Sequence, residues 1–271
     1  MRLPLILAAG ALTLGLTATP VLADKLDDII ASGVLRCAVT LDFPPMGSRD
    51  DNNEPIGFDV DTCNDLAATL GVTPEIVETP FPDRIPALVS GRADVGVAST
   101  SDTLERAKTI GFSIPYFAFN NVVLTREDTG IESYEDLAGK NLGSVAGVFE
   151  AIALEEDFDT WEGGSFRTFQ SQADVFLALN QGQIDATVVT GTVAASTVNS
   201  GNFDGFVIKG EAPFLVDYVS LIALRQEYGL LNYLNLFAHQ QVRTGRYEEL
   251  FEKWVGGGAE APNLTVPGTY Y

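Results

Sequence analysis

The chain has 271 residues, 46% of them hydrophobic and 20% charged, which is enough apolar material for a packed core and too little charge for a disordered chain. Its formal net charge is −21, with 16 Lys and Arg scattered among 37 Asp and Glu. Counterion release on a phosphate backbone needs clustered cations, so nucleic acid is excluded as a partner, and the acidic excess favours solubility.

Residues 1–23 read as a signal peptide. Arg2 supplies the positive start, residues 3–16 are mostly apolar, and Val21 and Ala23 are small residues at −3 and −1 of a cleavage site. The apolar run is shorter than the ~20 residues of a spanning helix, and no cysteine follows Ala23 to carry a lipid. Cleavage after Ala23 would leave Asp24 as the mature N-terminus in an exported, periplasmic protein. In such an oxidising compartment Cys37 and Cys63 are able to pair. Cys37 shares a strand face with Leu35 and Val39, and Cys63 lies on the apolar stripe of the next helix. A strand and the helix after it pack together, so this placement fits a bridge and fits two buried thiols.

The mature chain then alternates. A strand is expected over 34–40, a Pro-, Gly-, Asp- and Asn-rich loop over 42–57, and a helix over 58–70 that ends at Gly71. A strand over 74–78, a short helix from Asp83 to Gly91 and a strand over 93–98 complete a βαβαβ unit, the mark of a parallel sheet covered by helices. The segment 98–106 follows that strand and is expected to open a helix. Backbone N–H groups at a helix start favour an anion, and Arg106 there has the reach to fork onto a carboxylate. A capped surface helix with a Glu105–Arg106 pair fits the same residues.

A long extended run covers 117–125. The alternation restarts with a helix over 133–138, a strand over 141–145, a helix from Val148, a strand over 166–169, a helix over 172–180 and a strand over 184–189. A second extended run covers 214–224, and helices are expected over 230–242 and 247–255. Two α/β sets bracketed by two extended runs predict two lobes joined by two hinge strands. The expected division is 24–121 for lobe one, 122–216 for lobe two, and 217–271 for the return to lobe one.

Catalytic chemistry finds little footing. His239 has no second histidine near it, and G-x-S-x-G, H-E-x-x-H and C-x-x-C are absent from the sequence. No metal, cofactor or enzymatic activity is expected.

A series of short motifs runs in order along the chain: Gly33-Val34-Leu35-Arg36, Phe43-Pro44-Pro45, Gly57-Phe58-Asp59-Val60-Asp61, Arg84-Ile85-Pro86-Ala87-Leu88 and Ser90-Gly91-Arg92-Ala93-Asp94-Val95. Thr103-Leu104-Glu105-Arg106-Ala107, Phe112-Ser113-Ile114-Pro115-Tyr116, Asp136-Leu137-Ala138-Gly139-Lys140, Leu179-Asn180-Gln181-Gly182-Gln183-Ile184-Asp185-Ala186 and Lys253-Trp254-Val255-Gly256 follow. In this order and spacing the chain resembles the family 3 extracellular solute-binding proteins, which capture polar amino acids for ABC importers.

The resemblance implies a type II periplasmic-binding-protein fold, two mainly parallel α/β lobes that close on a ligand. It also implies a monomer that delivers an amino acid or small carboxylate to an inner-membrane ABC permease. By position, Arg106 is similar to the arginine that holds the ligand carboxylate, with Ser99, Thr100 and Ser101 beside it. Phe43 and Phe81 are similar to residues that pack on the ligand, and Gly147, Val148 and Phe149 to a loop that offers backbone amides. Two departures stand out. Hydroxyl residues that commonly follow the glycine are replaced by Val148 and Phe149, and the aspartate that commonly takes the α-ammonium is replaced by Thr190. A buried ammonium without a charged partner is costly. Either the ligand lacks a primary amine, as in a compatible solute held in an aromatic box of Phe43, Phe81 and Phe149, or Glu150, Asp42 or Asp217 compensates. The rival functions are a cleft dehydratase on prephenate-like acids, with Glu150 as acid, and a soluble sensory binding protein.

Overall fold

The structure is a computed structural model that describes residues 24–256 together with 261, 262 and 264. The expected signal peptide, with cleavage after Ala23, lies outside the described residues.

The Asp24 carboxylate caps helix α1 (Lys25–Ser32). Strand β1 (Val34–Val39) leads to a loop holding the small hairpin of β2 (Ser48–Arg49) and β3 (Pro55–Ile56). Helix α2 (Phe58–Leu70) turns Phe58, Cys63, Leu66 and Ala67 inward, a helical spacing that makes one apolar face. It stops where Gly71 takes the left-handed conformation. Strand β4 (Thr73–Glu78), helix α3 (Arg84–Val89), and strands β5 (Val95–Ser101) and β6 (Ile110–Phe119) follow. The next section runs β7 (Asn121–Arg126), β8 (Asn141–Val145), α4 (Phe149–Phe158), β9 (Ser165–Phe169), α5 (Gln172–Asn180), β10 (Ala186–Thr190), α6 (Gly191–Ser200) and β11 (Phe206–Glu211). Strand β12 (Asp217–Leu224) and helices α7 (Tyr228–Arg243) and α8 (Arg246–Trp254) end the described chain.

Two five-stranded sheets result, ordered β4-β1-β5-β12-β6 and β11-β7-β10-β8-β9. Each belongs to one lobe of a two-lobed α/β fold. Each sheet is mixed. The β1–β4, β1–β5, β8–β9 and β8–β10 pairs are parallel, whereas β12 runs antiparallel to β5 and β6, and β7 antiparallel to β10 and β11. The antiparallel members come from the two long extended stretches, because a chain that crosses from one sheet to the other and back must reverse direction. The first crossing runs from Phe119 of β6 to Asn121 of β7, and the second from Glu211 of β11 to Asp217 of β12. Backbone bonds tie the crossings together: Ala212 N–H donates to the Asn121 carbonyl (2.8 Å) and Gly191 N–H to the Asn120 carbonyl (2.8 Å).

Cys37 of β1 and Cys63 of α2 are disulfide-bonded, their Cα atoms 6.3 Å apart. Three local expectations differ from the structure. The segment after β5 does not open an α-helix: β5 itself runs on to Ser101, and only a 3₁₀ turn (Arg106–Lys108) follows. The helix expected over 133–138 is a 3₁₀ turn (Glu135–Leu137). Helices α1 and α6 and strand β11 appear where the sequence patterns had suggested none.

Candidate functional site

Ligand crevices in open α/β sheets lie beyond the carboxyl ends of the parallel strands. Here the ends of β1, β4 and β5 in one lobe and of β8 and β10 in the other face a common narrow cavity. Its walls are Phe43, Phe81, Arg84, Ser99, Ser101 and Phe119 from lobe one, Val148, Phe149, Glu150 and Thr190 from lobe two, and Asp217 at the start of β12.

The lobe-one wall is built around a buried carboxylate. Asp59, in the first turn of α2, is 1% exposed. It accepts from the Tyr116 hydroxyl (2.7 Å) and from Ser99 Oγ (3.1 Å), while Ser99 N–H donates to the Tyr116 oxygen (3.0 Å). Burial pushes the Asp59 carboxyl up to about 7, with the Tyr116 and Ser99 bonds opposing. This triangle holds Ser99 at φ 44°, a left-handed conformation uncommon for serine. Ser99 and Ser101 share one face of β5 and both line the cavity, while Thr100 alternates to the other side and is not in the lining.

Two arginines reach the same spot. Arg84 is buried. Its Nε donates to the Phe81 carbonyl (2.9 Å), its Nη1 to the carbonyls of Ala98 (2.9 Å) and Ser99 (2.8 Å), and its Nη2 to Gly147 (2.8 Å). Its guanidinium also lies 4.6 Å from the Phe81 ring centroid. Burial lowers its pKa to about 9, with Arg106 adding to the effect, so it stays cationic at neutral pH. Arg106 donates from Nη1 to the Ser101 carbonyl (3.0 Å) and from Nη2 to the Gly147 carbonyl (2.7 Å). One lobe-two carbonyl therefore takes a bond from each of two lobe-one guanidiniums. Gly147 adopts φ 80° to present it.

Two further acids face the arginines. Glu150, on the first turn of α4, is 3% exposed, and Asp217 is 7% exposed. Ser101 Oγ donates to Asp217 (3.1 Å). Burial raises both carboxyls to about 7; Asp217 adds to the rise at Glu150, and Arg84 and Arg106 oppose it at both. Thr190 Oγ1 is buried, lines the cavity and has no hydrogen-bond partner among the described residues. The aromatic wall is set by edge contacts: Phe43 lies 4.8 Å from Phe81 and 6.1 Å from Phe119 between centroids.

Of the residues singled out in the sequence, Phe43, Phe81, Ser99, Ser101, Val148, Phe149 and Thr190 line the cavity. Arg106 and Gly147 meet at its edge, and Thr100 is outside it. Gly147 contributes a carbonyl to that meeting rather than an amide. Asp42 does not face the cavity. Its carboxylate accepts from the Gln172 amide at the start of α5 (2.8 Å), across the two lobes. His239 lies in a separate surface groove with Tyr247 and Glu248. Sequence reasoning missed Arg84, Asp59, Tyr116 and Phe119. Arg84 and Asp59 both sit in motifs that had been read only for family resemblance, and a charged residue beside an apolar helix face is the signal that was available.

Residues 35–257 match the family model of bacterial extracellular solute-binding proteins, family 3. The arginine-binding extracellular protein ArtP of Bacillus subtilis is 27% identical over 93% of this chain and 97% of its own length. A crystal structure of a mutant arginine-binding protein from T. maritima superposes with a TM-score of 0.77 at 30% identity, covering 85% of this chain and 98% of that one. Cyclohexadienyl dehydratase of Pseudomonas aeruginosa is 34% identical over a shorter stretch, 42% of this chain and 43% of its own length.

Proposed function

Because the chain belongs to the family 3 bacterial extracellular solute-binding proteins, we propose that it is the exported binding component of an ABC importer. It captures an amino acid or related small carboxylate between two lobes and hands it to a membrane permease. The observation that carries this reading is the cavity itself, walled by both lobes, lined by the Arg84 guanidinium, two carboxylates and a phenylalanine cluster, with Arg106 at its edge. Arg106 with Ser99 and Ser101 receives the ligand carboxylate on lobe one, and closure brings Glu150, Phe149 and Thr190 over it. The protein acts as a periplasmic monomer released by cleavage after Ala23, with lobe boundaries near 121/122 and 216/217, and it performs no chemistry on its ligand.

The test is a thermal-shift screen of the exported chain, refolded to strip copurified ligand, against the common L-amino acids and related carboxylates. A ligand at 1,000 times its Kd adds about 4 kcal/mol. Arg106→Ala is expected to weaken the best ligand by about 2–5 kcal/mol. A panel with no stabilising member, or an Arg106→Ala protein of unchanged affinity, rejects the reading. A second reading, a cleft dehydratase, has one observation in its favour: a buried Glu150 carboxyl near 7 suits a general acid. Turnover of prephenate by the pure protein would establish it.

A further inference from the structure

Resting on the reading of this cavity as an amino-acid or small-carboxylate site, we propose that the ligand carries an N–H-bearing ammonium, seated against Glu150 and Asp217, with the Thr190 hydroxyl as a neutral third acceptor. The inference rests on unmatched hydrogen-bonding capacity. Position 190 offers a hydroxyl where the resemblance leads one to expect an acid, and that hydroxyl is buried with no partner among the described residues. Glu150 is 3% exposed, and the polar backbone group that lowers its pKa is its own amide, with no side-chain hydrogen bond acting on it. Asp217 receives one side-chain bond, from Ser101 to Oδ2, leaving its other oxygen open. Three acceptors thus line one cavity and lack donors, and buried carboxylates without partners are costly.

An ammonium with N–H groups supplies both what these atoms lack and a charge opposite to theirs. A quaternary ammonium supplies the charge but no donor, and a neutral hydroxyl supplies a donor but no charge. The electrostatics are compatible with this. Arg84 and Arg106 act on Glu150 and Asp217, Arg84 acts also on Asp59, and Asp102 acts on Asp217. A zwitterion brings one charge of each sign to these groups and adds no net charge to a desolvated site. The amine-holding acid has therefore moved from the end of β10 to the first turn of α4 and the start of β12.

The test compares triads of probes on the wild-type exported chain by calorimetric titration: an L-amino acid, the matching 2-hydroxy acid and the matching N,N,N-trimethyl betaine, for each common side chain. The best-bound L-amino acid is expected to exceed both analogues by about 100-fold or more. Its affinity is expected to rise with pH through about 7, as Glu150 and Asp217 ionise. Glu150→Gln and Asp217→Asn are each expected to weaken the amino acid by about tenfold or more, and by more than they weaken the 2-hydroxy acid. An analogue that binds as tightly as the amino acid, with no rise with pH, overturns the inference while leaving the carboxylate reading standing. A panel in which nothing binds overturns that reading itself. The wild-type comparison stands even if a variant does not fold.

Discussion

Two demands meet at Ser99. Its hydroxyl and amide complete the Asp59–Tyr116 triangle, and its backbone sits at φ 44° to do so. A non-glycine residue held in such a region costs of order 1–3 kcal/mol, and a hydrogen bond to a charged group contributes about 1.5–3 kcal/mol. Ser99→Ala removes the bond and keeps the strain. Ser99→Gly removes the bond and relieves the strain. The glycine protein is therefore expected to be the more stable of the two by about 1 kcal/mol in urea unfolding. Equal stability would mean that the neighbours, and not the serine backbone, absorb the strain. Ser99 was singled out in the sequence, but the triangle it completes was not readable in advance. Asp59 looks like an ordinary acidic residue of a helix first turn, and only the fold, by bringing β5 and β6 beneath α2, makes it the buried support of a site.

At the scale of elements, the parts with local signals were legible. Helix α2 runs from Phe58 to the glycine that ends it, β8 matches its apolar run, and α5 has both its bounds in the sequence. The misreadings share a cause. Helix α6, Gly-Thr-Val-Ala-Ala-Ser-Thr-Val-Asn-Ser, is rich in β-branched and small residues, and tertiary packing rather than propensity makes it a helix. The segment after Ser101 has a capping pattern but stays a 3₁₀ turn, because β5 extends through the serines and pairs with β12 at Thr100–Ser220 and Ser101–Val219. The bond from the Gln172 amide to Asp42 is likewise invisible to spacing, being 130 residues apart. It places a carboxylate at the positive end of α5 from the opposite lobe, a favourable pairing with the helix dipole. Asp42→Ala is expected to weaken ligand binding by about tenfold and to enlarge the radius of gyration in X-ray scattering. Affinity and scattering that both match wild type would show that this bond does not hold the lobes together.

For the molecule as a whole, the site has a cost that depends on pH. Asp59, Glu150 and Asp217 are all raised by burial to about 7, against an ordinary value of about 4. The folded chain then holds protons more tightly than the unfolded chain across that interval. Stability from these groups is present in full below about pH 4 and is lost as pH rises through about 7. The melting temperature measured without added ligand is expected to fall between pH 5 and pH 8, with a shallower fall in Glu150→Gln and Asp217→Asn. A melting temperature that rises over this range would mean that the acids are better paired than their surroundings indicate. The lobes also meet through the Gly147 carbonyl, which engages both Arg84 and Arg106. On the proposed reading an incoming carboxylate seeks one of those same guanidiniums, so the protein would carry its own competitor for the anion site. Capture then becomes an exchange in which the internal bond must open first. The observed association rate should level off at high solute concentration at the rate of that opening, and the speed of uptake would be set by the protein's own rhythm instead of by diffusion.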